Sequence, residues 1–150
     1  MRVTTFTEYS LIVTLHLARR QGQRHLSAAD LAAAEGLPAD YVEQILLKLR
    51  RAGVVDSVRG AHGGYRFTRE PASVSVYEVM SACDRQTFEI NCDAHPLGDG
   101  RCAPDGNCSI RPVWQALRDR VDGFLRGVSL ADLMQDEAQV RAVVRARAAV

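Results

Sequence analysis

The sequence predicts a mainly α-helical fold with one small β-hairpin, and three observations carry that prediction. Apolar residues recur at helical spacing through residues 5–51 and again through 113–125. Two short alternating segments, VVDSV and YRFT, flank the glycine-rich turn RGAHGG. Gly, Pro, Asp and Asn crowd into NCDAHPLGDGRCAPDGNC, residues 91–108, a turn-rich segment that also holds three of the four cysteines. At 150 residues the chain has the length of one ordinary domain.

The first helix is expected over Thr5 to Gln21. Thr5-Phe6-Thr7-Glu8 has the form of a capping box, in which hydroxyl and carboxylate each accept from the other residue's backbone N–H. Phe6, Tyr9, Val13 and Leu17 supply its apolar stripe, and Gly22 ends it. Ser27-Ala28-Ala29-Asp30 repeats the capping pattern ahead of AADLAAAE, which stops at Gly36. The turn Gly36-Leu37-Pro38 leads directly into ADYVEQILLKLRRAG, with Tyr41 or Val42, Ile45, Leu46 and Leu49 on the buried side and Gly53 as the stop. Two short helices joined by a glycine-containing turn of a few residues form the helix-turn-helix pattern. With the hairpin that follows, the reading becomes a winged helix-turn-helix.

Such a unit can place the N-terminal residues of its second helix against base edges in a major groove, while a glycine-rich wing tip approaches the backbone or minor groove. Tyr41, Glu43, Gln44 and Lys48 fall on or near the exposed face of that helix, and Arg59 and His62 flank the wing turn. These six are the candidate DNA contacts. Glu43 can accept from a cytosine amino group, against the plainer role of a solvent-face charge. His62 has the plainer role of a polar turn residue. Asp40, at the DNA-facing end, repels phosphate, and the sequence shows no compensating benefit.

In VSVYEVMSACD, Val76, Val79, Met80 and Cys83 fall on one helical face, which assigns Cys83 to the core rather than to ligation. RPVWQALRDRVDGFLRGVSLADLM reads as a long helix followed by a short one, with Pro112 in its first turn. Its stripe is Val113, Leu117, Val121 and Phe124 or Leu125, with Trp114 beside it. This helix is the expected seam of a homodimer, packing on its own domain being the alternative. The tail DEAQVRAVVRARAAV is expected to be helical or frayed, with no evident role.

These elements divide the chain into a reading head over residues 1–84, a cysteine-rich loop over 85–111, a dimerisation helix region over 112–135 and a tail over 136–150. The net charge of +1 conceals an uneven distribution. Residues 1–70 carry ten Lys/Arg against seven Asp/Glu, 71–110 two against six, and 111–150 seven against five, so the cysteine loop is the acidic part. No run approaches the length of a membrane span, and the start MRVTTFTEYS lacks the charged-then-apolar order of a signal peptide; a cytoplasmic protein without a membrane partner is expected. In that reducing compartment the cysteines are expected as thiols or metal ligands rather than structural disulfides. The absence of any catalytic motif or phosphate-cradling glycine loop argues against an enzyme.

MRVTTFTEY, the helix pair ending in YVEQILLKLRRAGVV, SVRGAHGGYRFT, VYEVMSACD, three cysteines and VWQALRDRVDGFLRGVSLADL, in that order, resemble the Rrf2 family of winged-helix regulators over about residues 1–135. The resemblance implies a homodimeric, sequence-specific transcription factor, expected to be a repressor. Its affinity for double-stranded operator DNA would be switched by an iron-sulfur cluster, 4Fe-4S or 2Fe-2S, that responds to nitric oxide, redox state or iron-sulfur supply. It implies base reading by Tyr41, Glu43 and Gln44, a minor-groove role for Arg59, and cluster ligation by Cys92, Cys102 and Cys108.

The family pattern C-x5-C-x5-C is lengthened here to C-x9-C-x5-C. The histidine that some members place three residues after the last cysteine is replaced by Arg111, which cannot ligate because its guanidinium stays protonated. Two substitutes remain: Glu8, where related members supply a carboxylate from the partner subunit, and His95, three residues after Cys92. Glu8 is preferred and His95 kept as the alternative. Soft thiolates select iron-sulfur clusters or zinc, and one oxygen or nitrogen ligand leaves an iron open to attack. The alternative function is a cluster-free regulator whose cysteines form a thiol-disulfide switch or hold zinc, although neither gap has the C-x2-C spacing zinc favours.

Overall fold

The first helix starts at Thr5 as expected, but its capping residue is Thr4. In the computed structural model, which describes residues 3–60, 62–84 and 108–148, Thr4 Oγ1 accepts from the Thr7 N–H at 3.2 Å and caps helix α1 (Thr5–Arg19). Thr5 is already helical, and Glu8 lies one residue too far along to close a capping box; its N–H donates to the Thr4 carbonyl at 3.0 Å as an ordinary helical bond. The Thr4 hydroxyl also lies 2.9 Å from the Thr7 hydroxyl and donates to the Asp84 carboxylate at 3.4 Å. α1 runs through the centre of the fold and buries Thr7, Ser10, Val13, Thr14, Leu17 and Ala18. Its buried hydroxyls are satisfied within the helix, Ser10 donating to the Thr7 carbonyl at 2.7 Å and Thr14 to the Ser10 carbonyl at 2.6 Å.

Helix α2 (Ala28–Glu35) opens on the expected capping box of Ser27 and Asp30, and Gly36 closes it at φ +65°, a left-handed cap that a side chain would strain. Helix α3 (Ala39–Arg51) buries Val42, Ile45, Leu46 and Leu49 completely and leaves Tyr41 outside. That stripe, packed on α1 and α2, stabilises the head by about 1.5–3 kcal/mol for each side chain.

Strands β1 (Val55–Val58) and β2 (Gly64–Phe67) pair antiparallel, with Val55 opposite Phe67 and Val58 opposite Gly64. A third segment joins them, which no sequence pattern marked. Leu26 exchanges backbone bonds with Tyr65, accepting at 2.7 Å and donating at 3.2 Å. The approach is so close that a Cβ on Gly64 would stand 2.6 Å from the Leu26 carbonyl oxygen.

After a 3-10 turn at Pro71–Ser73 comes α4 (Val76–Cys83), with Cys83 buried as expected; beyond the cysteine segment lie α5 (Arg111–Gly127), α6 (Leu130–Leu133) and α7 (Glu137–Ala148). Ser75 with Glu78 and Ser129 with Asp132 form capping boxes for α4 and α6. The two caps are joined back to back: the Val76 N–H donates to the Val128 carbonyl and the Leu130 N–H to the Val74 carbonyl, both at 2.9 Å. Val76, Met80 and Val128 then form a small second core with Phe124, Leu125 and Val144. The tail is therefore not without a role: α7 contributes Val144 to this core and Arg147 to Asp132 at 3.4 Å. Among the described residues no helix is long and apolar enough to cross a membrane.

Candidate nucleic-acid interface

Pro38, at the N-cap of α3, offers no side-chain hydrogen bond, and Asp40 supplies negative charge in the first turn. There it complements the positive end of the helix dipole, the benefit the sequence did not reveal. Tyr41, Glu43 and Gln44 are all exposed on the face opposite the buried stripe. Tyr41 is also fixed sideways: its ring lies 5.9 Å from Phe6, tilted by 44°, and 5.7 Å from Tyr9, edge-on at 73°. Aromatic pairs of this geometry are worth about 0.5–1.5 kcal/mol beyond their burial. Between the start of α1 and this face lies a recess of about 490 Å³, lined by Val3, Thr4, Thr5, Phe6, Tyr41 and Gln44.

On the wing, Arg59 and His62 are exposed in the turn between β1 and β2. His25 Nδ1 lies 3.4 Å from the His62 carbonyl, so the strand that docks on the hairpin also touches its tip. Beneath it a recess of about 210 Å³ has Arg20, Arg24, His25 and Arg66 in its lining. Arg66 is shared with Asp56 at 3.4 Å, and both remain about half exposed. This basic recess, of a kind suited to backbone phosphate, was not among the sequence candidates. Arg20 and Arg24 are far from Arg66 in the chain; the packing of α1 on β2, the Gln21 side chain donating to the Arg69 carbonyl at 3.0 Å and the Leu26–Tyr65 pairing bring them to the wing.

Lys48, expected among the DNA contacts, points elsewhere. Its Nζ donates to the Cys83 carbonyl at 2.6 Å and lies 4.5 Å from the centroid of the Phe6 ring. The reason is its position on α3: that helix packs on α4 and α1, so the ammonium meets the end of α4.

Of the candidate cluster ligands, Cys92, Cys102 and the alternative His95 lie outside the described residues. Cys108 is half-buried, three residues ahead of Arg111, where α5 begins. Glu8 is exposed on α1, and among the described residues its carboxylate has no hydrogen-bond or ion-pair partner. Its expected capping role is gone, so an exposed hard oxygen donor is left unassigned. Cys83 is the opposite case. Burial pushes its thiol upward against the opposing hydrogen bond to Ser10 and the charge of Lys48, which disfavours the thiolate that ligation needs. Among the described residues no three His, Cys, Asp or Glu side chains cluster as a metal site. Cys108 and Glu8 are the candidate ligands that lie among the described residues; a thiolate is a soft donor of the kind that binds iron-sulfur clusters or zinc.

Residues 3–136 match the Rrf2 family, described as an iron-dependent transcriptional regulator. The HTH-type transcriptional regulator IscR of Vibrio cholerae serotype O1 is 33% identical over 136 residues, which span 91% of this chain and 76% of that relative. Among solved structures, CymR, the global cysteine regulator of B. subtilis, superposes with a TM-score of 0.71 at 28% identity, covering 91% of this chain and 99% of CymR. T. potens IscR gives 0.70 at 28% identity over 93% and 91% of the two chains. These relatives are regulators rather than enzymes, and they share with this chain the helix-turn-helix followed by its hairpin. By the match over nearly its whole length, the chain belongs to the Rrf2 family of winged-helix transcriptional regulators.

Proposed function

We propose that the protein is a homodimeric cytoplasmic repressor whose affinity for operator DNA is switched by an iron-sulfur cluster, held by Cys92, Cys102 and Cys108 with Glu8 from the partner subunit. Residues 1–84 read DNA, 85–111 hold the cluster and 112–135 pair the subunits. Tyr41, Glu43 and Gln44 address base edges, while Arg59 and His62 bring the wing to the backbone or minor groove. When bound, the cluster supplies an iron reactive toward nitric oxide or oxidants.

The observation that carries this reading is the packing of Phe6 and Tyr9 on Tyr41. It joins the helix that bears Glu8 to the residue at the reading end of α3. A pull on Glu8 is then felt at the reading face, and a difference in operator affinity between the two states is the only quantity such a ligand can act through. The homodimer is supported by α5, a 17-residue helix with no buried residue in the single chain. Ile110 just ahead of it is 57% exposed and Val113, Trp114 and Leu117 are 60%, 40% and 41% exposed, an apolar row that a second copy would cover.

Anaerobic purification followed by visible absorption, iron, sulfide and zinc assays and operator binding tests the reading. The expected protein is coloured, contains iron and sulfide, and changes operator affinity when the cluster is removed. A colourless, iron-free dimer with full operator affinity refutes it, and zinc or a reversible disulfide in its place would establish the cluster-free alternative.

A further inference from the structure

Helix α4 ends without a glycine. Its C-cap, Asp84, is extended at φ −129°, so the last carbonyls of the helix must find donors outside it. One donor comes from the reading helix, the Lys48 ammonium on the Cys83 carbonyl at 2.6 Å. That ammonium also sits over the Phe6 ring at 4.5 Å, within the range of a cation–π contact. From the other side Thr4, the cap of α1, donates to the Asp84 carboxylate at 3.4 Å. Cys83 and Asp84 are the last described residues before the cysteine segment, and they are held by α3 and by the start of α1 together.

We propose that Lys48 is a positioning residue that locks the reading helix to the entry of the cysteine segment, rather than a contact to DNA. A positive charge is favourable at a helix C-terminus, and a compact ammonium can serve a carbonyl and a ring face at once. Strain at the cysteine segment is delivered to α3 through this lock. The signal that produces the strain rests on the cluster reading above, whereas the lock itself does not.

The experiment uses the full chain with and without its cluster, as wild type, Lys48→Met and Lys48→Arg. Lys48→Met keeps most of the stem and removes the charge and donors; Lys48→Arg restores both. Three quantities are read: the salt dependence of operator affinity, hydrogen exchange over residues 80–84, and the ratio of operator affinities between the two cluster states. For Lys48→Met the salt slope should stay at the wild-type value, and exchange at the end of α4 should rise by roughly tenfold, as for loss of a hydrogen bond to a charged group. The affinity ratio should collapse toward unity, and Lys48→Arg should recover much of it.

A salt slope lowered by about one, the mark of a lost phosphate contact, overturns the proposal, as does unchanged exchange. An unchanged affinity ratio overturns the coupling. If the wild type takes no cluster, the cluster reading and the coupling fail together, while slope and exchange still decide where the ammonium acts.

Discussion

Replacing Gly64 with alanine tests how the wing is held. Gly64 has φ +147°, which an L side chain rarely adopts, and its Cβ would meet the Leu26 carbonyl oxygen at 2.6 Å and carbon at 2.7 Å. Either the Leu26 segment retreats and loses its bonds to Tyr65, or the Gly64 peptide turns and the pairing with Val58 fails. Backbone strain of this kind costs about 1–3 kcal/mol, and each lost backbone bond about 1 kcal/mol. Because the chain relaxes by one route or the other, the total is about 2–4 kcal/mol. For a chain of this size that lowers Tm by about 5–15 °C. Leu26, only 3% exposed, would also lose its cover. Calorimetry reads the stability, and fluorescence anisotropy, well below the new Tm, reads operator affinity, which should fall because Arg59 and His62 ride on the same hairpin. A Tm within about 2 °C of wild type, together with unchanged affinity, would refute the claim that this close approach positions the wing.

Glu8→Ala should shorten the lifetime of the cluster in air, followed by its visible absorption, while the apo-protein keeps its stability to within about 0.5 kcal/mol, because an exposed carboxylate without a partner among the described residues contributes little to folding; equal cluster lifetimes would remove Glu8 as a ligand. Trp114→Glu with Leu117→Glu should convert the dimer to monomer in light-scattering chromatography, and a dimer of unchanged affinity would place the seam elsewhere. The Ser129 N–H holds the Asp132 carboxyl below its ordinary range, aided by the Ser129 hydroxyl and Arg147 and opposed by burial. A depressed folded value means that Asp132 contributes stability above the ordinary carboxyl range near pH 4, lost as pH falls through the lower folded value. Urea titrations from pH 7 to 3 should therefore show a shallower acid loss for Asp132→Asn, and identical acid limbs would show that the capping box carries no linked proton.

The reading head was legible because its signals are local. Ser27 and Asp30 cap, Gly36 stops, and Val42, Ile45, Leu46 and Leu49 repeat, all within spans that a helix closes by itself. What the sequence concealed depends on contacts between distant segments. Thr4, the residue that caps α1, also contacts Asp84, eighty residues away in the chain. Leu26 becomes a bridge residue only because Tyr65 offers it a backbone partner, and Arg20 and Arg24 reach the wing through that pairing together with the packing of α1 on β2. The contacts of Lys48 with the Cys83 carbonyl and the Phe6 ring were hidden because helical periodicity gives a face and not what packs beside it. The tail looked idle because its partner, the joined pair of caps at Ser75 and Ser129, is itself a tertiary feature.

The contacts on α3 constrain what a switch can do to it. At the N-terminal end Tyr41 is flanked by Phe6 and Tyr9, and two turns further on Lys48 is tied to Cys83 and Phe6. Between them Val42, Ile45 and Leu46, and just beyond them Leu49, are fully buried and fix the helix to the core. A helix gripped at both ends on the same side cannot slide along its axis without breaking one grip, but it can roll by a few degrees while both adjust. On the proposed reading, rolling moves Glu43 and Gln44 sideways across base edges and leaves the core contacts of Ile45 and Leu46 largely in place. Because interiors are close-packed, the displacement available is small. Base-edge hydrogen bonds, however, lose strength steeply with angle, so a roll too small to unfold the head is enough to change which operator it holds. Cluster state is then expected to act on affinity for DNA far more than on the stability of the reading head.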